Sequence, residues 1–267
     1  MKHANTREAA ELLWRHRQAG TTLDALPAAL RPRSAAEGHA IQAELGAVSG
    51  RAVVGWKIAA TSQAGQQHIN VSGPLAGRIL AGGVYALGDT VSLAGNHMRV
   101  VEPEFGFRIG SDLPARATPR SQAEVLAAVA SLHPAFEVPD SRFAVFTQAG
   151  EAQLLADDAC CGPFMFGPPA PEAWRTLDLS AHRVHASVAG ADGKPRYARE
   201  GVGSAALSDP RSALTWLVND LSVRGITLAA GAFVSTGTCM VPLEVEPGDR
   251  VRADYGVLGV NEIGLGG

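Results

Sequence analysis

Apolar and polar positions follow two different periods along the chain. In residues 6–19, Ala9, Ala10, Leu12, Leu13 and Trp14 form a stripe at helical spacing, which predicts a helix capped by Thr6 and stopped by Gly20. Ser34, with Glu37 three residues on, is the capping signal of a second helix over 35–48. Beyond residue 50 the pattern turns to short β-prone runs at 52–58, 90–93, 99–109, 135–138, 182–188, 232–234 and 249–254, most of them punctuated by Gly or Pro. Residues 61–67 read as a short helix or loop, and 74–83 as a turn-rich stretch. Two later helices are predicted. One spans 121–132, with Ser121 and Glu124 as a capping box; the other spans 210–224, with Ala213, Leu214, Leu217 and Leu221 on one stripe and Gly225 as its stop. These helices are too few for alternating βαβ units, so the pattern predicts an α+β fold with a mixed, β-rich core. Residues 1–50 would form an N-terminal helical extension and 51–267 the catalytic β-rich domain.

The 30 glycines and 16 prolines among 267 residues agree with many strands and tight turns. Hydrophobic residues at 46% against 18% charged fit a packed core, and a net charge of -3 implies no broad basic field for nucleic acid. No apolar run reaches membrane-spanning length, and Met1 to Asn5 lacks the apolar segment of a secretory signal. Cys160, Cys161 and Cys239 are odd in number and lack zinc spacing, so reduced thiols in the cytoplasm are expected, acting as small buried hydrophobes.

Candidate chemistry centres on Val100-Val101-Glu102-Pro103-Glu104-Phe105-Gly106-Phe107. On a strand, Glu102 and Glu104 project side by side, with Val101, Phe105, Phe107 and Ile109 on the opposite face. Two adjacent hard oxygen donors suit Mg2+ or Mn2+; equally, an amphipathic strand keeps its acids in water. Glu137 stands at the centre of a second apolar run bracketed by Pro134 and Pro139, so three carboxylates converge on one cation if the two strands are neighbours. Lys57, between Trp56 and Ile58, either snorkels to the surface or is held near an anion. Asp157 and Asp158 follow an apolar run and are candidates for helix capping or for the site. Ser235, Thr236, Gly237 and Thr238 close a strand with hydroxyls and amides suited to a carboxylate or phosphate, or to a structural turn. His68 reads as a surface histidine close in sequence to Lys57. No Gly-x-Ser-x-Gly, His-Glu-x-x-His or Walker sequence occurs.

In this order, Gly55-Trp56-Lys57-Ile58, Glu102-Pro103-Glu104, Phe136-Glu137-Val138-Pro139-Asp140-Ser141-Arg142, Ala156-Asp157-Asp158-Ala159, and Ser235-Thr236-Gly237-Thr238 followed by Pro247-Gly248-Asp249 resemble the 2-keto-4-pentenoate hydratase branch of the fumarylacetoacetate hydrolase superfamily. The resemblance covers most of the chain and is more specific for superfamily than for reaction. It implies a mixed β-roll core of the fumarylacetoacetate hydrolase C-terminal type, Mg2+ or Mn2+ at Glu102, Glu104 and Glu137, Lys57 in the substrate pocket and a homo-oligomer. The implied reaction is addition of water to a 2-hydroxydienoate in aromatic catabolism, giving a 4-hydroxy-2-oxo acid. Asp157 is then a candidate acid/base, and Ser235, Thr236, Gly237 and Thr238 would meet the substrate carboxylate. A 4-oxalocrotonate-type decarboxylase, or a non-catalytic subunit paired with a hydratase or decarboxylase, is the alternative. Two departures stand out: 70–74 has no acid where many hydratases have one, and Asp157-Asp158 replaces the usual Asp-Asn.

Overall fold

The structure, a computed structural model, describes residues 3–267. Met1 and Lys2, part of the segment read for a secretory signal, lie outside the described residues. In chain order the elements are α1 (His3–Ala19), α2 (Ala35–Ala43), α3 (Leu45–Ser49), β1 (Val53–Ala59), α4 (Gln63–His68), β2 (Leu75–Leu80), β3 (Val84–Tyr85), β4 (Thr90–Ser92), β5 (Val100–Ile109), α5 (Gln122–Ala127), β6 (Val129–Glu137), α6 (Glu151–Ala156), β7 (Phe164–Phe166), β8 (Arg183–Ala189), β9 (Pro195–Val202), α7 (Pro210–Val223), β10 (Phe233–Thr238), β11 (Leu243–Glu244), β12 (Arg250–Asp254) and β13 (Val260–Gly266). The larger sheet runs β2-β1-β10-β5-β6-β7-β3, with β11 also paired to β5; the smaller runs β4-β13-β12-β8-β9. Both are mixed, since β1–β10, β3–β7 and β4–β13 pair in parallel and the rest antiparallel. The fold is α+β, as the pattern predicts.

The main core shows why the strands sort their side chains as they do. Phe105, Phe107, Phe136 and Val234 from the larger sheet pack in one cluster with Val184, Val188, Val251 and Ile263 from the smaller, and with Leu214, Leu217 and Leu221 of α7. Each such buried side chain contributes roughly 1.5–3 kcal/mol. Alternation along β5 therefore drives Phe105 and Phe107 inward and forces Glu102 and Glu104 onto the other face. The N-terminal helices pack beside this body through Ala9, Leu13, Leu26, Ile41 and Phe143. Gln42 Nε2 donates to the Ala76 carbonyl of β2 (2.7 Å), and the Leu26 amide donates to Gln153 Oε1 of α6 (2.9 Å).

Three segments differ from the pattern-based reading. The helix expected over 121–132 keeps its Ser121/Glu124 capping box but ends at Ala127; from Val129 the chain pairs with β5, and the ladder outweighs the helix propensity of the alanines. Residues 74–83, read as turns, hold β2, whose Gly77 is needed for close approach: a Cβ there would stand 2.5 Å from the Asp158 carbonyl oxygen. The helix over 35–48 divides at Glu44 into α2 and α3.

Candidate metal centre

β5 and β6 are antiparallel neighbours with Glu102 opposite Glu137. Oxygens of Glu102, Glu104 and Glu137 lie within 4.8 Å of one another. Glu104 and Glu137 are fully buried, and Glu102 is half-buried. The surrounding chain holds one oxygen of each buried carboxylate. Glu104 Oε2 accepts from Ser235 Oγ (2.5 Å) and the Gly237 amide (2.8 Å), while Glu137 Oε1 accepts from the Gly162 amide (3.2 Å). Among the described residues Glu104 Oε1 has no hydrogen-bond partner, and Glu137 Oε2 has the Lys57 ammonium 3.2 Å away as its ion-pair partner. Buried carboxylate oxygens left in this way are costly unless something positive meets them. Three hard oxygen donors, two of them so exposed to one another, fit a hard divalent cation.

Local backbone features aim these groups. The β10–β5 register shifts between Ser235 and Thr238, so that Gly237, at φ 89°, turns its amide toward Glu104. A Cβ at Gly237 would lie 2.5 Å from Thr61 Oγ1. From the core side, the Tyr255 hydroxyl donates to the Glu104 carbonyl (2.8 Å), fixing the strand beneath the site.

Lys57 enters from β1, whose Lys57 pairs with Ser235 on one side and Gly77 on the other. It is buried, not snorkelling, at 2% exposure. Its Nζ donates to the Ala159 carbonyl (2.9 Å) and stands 3.2 Å from Glu137 Oε2 as an ion pair. Burial works against its charge, yet Glu137, Glu102, Cys161 and Glu104 outweigh that and raise its pKa. Burial lifts Glu104 well above the usual carboxylate range, with Glu137 and Glu102 adding repulsion and Lys57 opposing. Burial likewise pushes Glu137 to about 7 against the pull of Lys57. Burial pushes Cys160 up to about 12 and raises Cys161 and Cys239 too, which suits inert buried thiols.

The other residues singled out from sequence have the following partners. Thr236 Oγ1 donates to the Phe105 carbonyl (2.9 Å) and Thr238 Oγ1 to that of Met240 (2.8 Å). Asp157 Oδ2 accepts from Ser141 Oγ and the Arg142 amide, both at 2.7 Å, bracing the turn after β6. His68 stacks edge-on against Phe146. Asp158 Oδ1 accepts from the Arg78 amide (2.7 Å), and its Oδ2 has no hydrogen-bond partner among the described residues. Gly77, Gly162 and Tyr255 carried no sequence signal for the site, because their parts are backbone approach and a bond to a carbonyl.

Burial pushes Asp158 to about 7 from an ordinary 3.8, with Arg17 and the Arg78 amide opposing. Between those values the unfolded chain ionises while the folded protein stays protonated, so stability falls as pH rises, and the cost is complete above about 7. Asp158→Asn keeps an acceptor for Arg78 without that cost. Thermal unfolding of variant and wild type should coincide near pH 4 and diverge by pH 8, the variant being more stable by on the order of 2–4 kcal/mol. Equal stability at pH 8 would contradict this.

A mixed-sheet α+β body with strand-borne carboxylates beside a buried lysine defines a class of candidate metal-dependent enzyme, and comparison with known proteins narrows it. No family model matches the chain. It is 33% identical over 245 residues to the 2-keto-4-pentenoate hydratase of Paraburkholderia xenovorans (strain LB400), covering 91% of this chain and 88% of that one. It is 34% identical over 204 residues to the 2-hydroxyhexa-2,4-dienoate hydratase of Comamonas testosteroni, covering 76% and 74%. In structure it resembles the 4-oxalocrotonate decarboxylase from Pseudomonas putida G7 complexed with magnesium and adipate, with a TM-score of 0.85 and 23% identity over 99% of this chain and 98% of that one. The chain belongs to the 2-keto-4-pentenoate hydratase family.

Proposed function

We propose that the protein is a divalent-metal-dependent hydratase that adds water to a 2-hydroxydienoate of the 2-keto-4-pentenoate type, giving a 4-hydroxy-2-oxo acid. The observation that supports it most is the buried Glu104 Oε1, left without a hydrogen-bond partner among the described residues inside the three-carboxylate cluster. Glu102, Glu104 and Glu137 would hold Mg2+ or Mn2+, which when bound supplies Lewis-acid stabilisation of negative charge on a 2-oxo acid. Ser235 and Gly237 keep Glu104 oriented, and Gly162 does the same for Glu137. Lys57 adds a fixed positive charge at the same place, where developing enolate charge is stabilised without reorganisation. Asp157 stays a candidate for proton transfer. The reading includes residues 1–50 as an extension to a catalytic 51–267 unit, and a homo-oligomer.

A decarboxylase acting on a diacid is the rival. The hydratase relatives match at 33–34% identity and a 4-oxalocrotonate decarboxylase at 30%, which favours the hydratase. The test is an ultraviolet assay of 2-hydroxypenta-2,4-dienoate and 2-hydroxymuconate side by side, with Mg2+, Mn2+ or EDTA and product identification. EDTA-sensitive formation of the 4-hydroxy-2-oxo acid from the first is the expected result. Release of CO2 from the second, with the first untouched, would replace the hydratase by the decarboxylase.

A further inference from the structure

Lys57 is held in place by a backbone feature with its own cost. Asp158, Ala159 and Cys160 occupy left-handed conformations in succession, at φ 60°, 53° and 60°. Three such non-glycine residues in a row are disfavoured by about 1–2 kcal/mol each. The turn persists because its surroundings fix it. Asp158 Oδ1 accepts from the Arg78 amide of β2 (2.7 Å), the Cys160 carbonyl accepts from the Asp140 amide (3.0 Å), and the Cys161 carbonyl accepts from Arg17 Nη2 (2.5 Å). Its central carbonyl, that of Ala159, receives the Lys57 ammonium. Gly77 opens the space between turn and lysine. A Cβ at that position would lie 2.5 Å from the Asp158 carbonyl oxygen and 2.9 Å from both Cγ and Cδ of Lys57.

We propose that this left-handed turn is a seat for the Lys57 ammonium, and that Asp158, through its Oδ1 bond to β2, is a positioning residue for the reaction. The Asp158 carboxyl touches neither the glutamate cluster nor the lysine; it fixes the carbonyl that does. Among the described residues Lys57 has two partners, the Ala159 carbonyl and Glu137 Oε2. When the carbonyl moves, the ammonium leans onto Glu137, the oxygen a cation needs. The turn therefore shares the ammonium between the Ala159 carbonyl and Glu137 and limits its hold on that oxygen. Strain concentrated beside a functional group is where such a device is expected.

The proposal rests on the hydratase reading for its kinetic readout only. Asp158→Gly is the decisive variant, because glycine takes the left-handed backbone freely while the carboxyl and its bond to β2 are lost. Asp158→Asn preserves that bond and serves as the rescue. With 2-hydroxypenta-2,4-dienoate at saturating Mg2+, Asp158→Gly should lose about tenfold or more in kcat with KM little changed, while Asp158→Asn stays near wild type. Calorimetric titration of the metal-free proteins with Mg2+ alone should show binding weakened about three- to tenfold in Asp158→Gly and unchanged in Asp158→Asn. Wild-type kcat and Mg2+ affinity in folded Asp158→Gly would overturn the proposal, as would an Asn variant no better than Gly. If wild type hydrates no 2-hydroxydienoate, the functional reading alone falls and the Mg2+ titration still decides the role of the turn.

Discussion

Glu104→Gln is expected to lower hydration of 2-hydroxypenta-2,4-dienoate by at least about 100-fold. It should also abolish the Mg2+-dependent rise in unfolding temperature. Glutamine is nearly isosteric, and its carbonyl oxygen can accept from Ser235 Oγ and the Gly237 amide as Glu104 Oε2 does. The variant loses the free Oε1 and its share of charge in the cluster. A ligand that binds only the folded state stabilises it by roughly 2.7 kcal/mol at 100 times its Kd, so wild type should gain visibly in Tm with excess Mg2+ and the variant should not. Without metal the order reverses. Burial and the neighbouring glutamates hold the Glu104 pKa far above the usual range, so ionising it destabilises the folded state increasingly as pH rises. At pH 8 in EDTA, Glu104→Gln should therefore unfold at a higher temperature than wild type. Thermal scans of both proteins with EDTA and with Mg2+, run beside the kinetic assay, check all three outcomes. A variant that keeps its Mg2+ response would remove Glu104 from the metal centre.

Much of this centre was legible in sequence because strand periodicity is rigid. Once Phe105 and Phe107 face the core, Glu102 and Glu104 must share the opposite face, and the apolar run around Glu137 gives the same answer for β6. Register is a non-local property: that Glu102 stands opposite Glu137 follows from pairing across the intervening chain, which spacing does not encode. Hydroxyls were legible as a group and not one by one. Ser235 and Gly237 hold Glu104, whereas Thr236 and Thr238 bond to backbone carbonyls, a division made by the bulge in β10. Gly77 misled the reading of β2, since a glycine that yields space to Lys57 looks like a glycine in a turn. The left-handed run at Asp158 to Cys160 left no trace in composition, because alanine and cysteine are not residues that favour it.

Lys57→Met is expected to differ from Glu104→Gln in sign as well as in mechanism. Methionine fills the channel past Gly77 and removes the charge, leaving Glu137 Oε2 with no cation and the Ala159 carbonyl with no donor. Breaking a buried pair on one side typically costs about 3–5 kcal/mol, because the remaining charge is uncompensated. That cost depends on pH. Glu137 titrates near 7 even with Lys57 opposing burial, so without the lysine its pKa moves higher still and the carboxyl is neutral at pH 6. Metal-free variant and wild type should therefore be closest in stability near pH 6 and separate as pH rises toward 9, the variant being the weaker. The Lys57 pKa is itself raised above the ordinary lysine value, so its own charge stays constant across that window. Mg2+ should restore stability, because a divalent cation supplies the countercharge that the cluster has lost. Turnover should stay at least about 100-fold down at saturating Mg2+ if Lys57 supplies the proposed fixed charge for the enolate, because that charge is gone. Unfolding at pH 6 and 9 with and without Mg2+, together with kcat at saturating metal, distinguishes this pattern from a general loss of folding. Full activity in the Mg2+-rescued variant would leave Lys57 a structural counter-ion and remove it from catalysis.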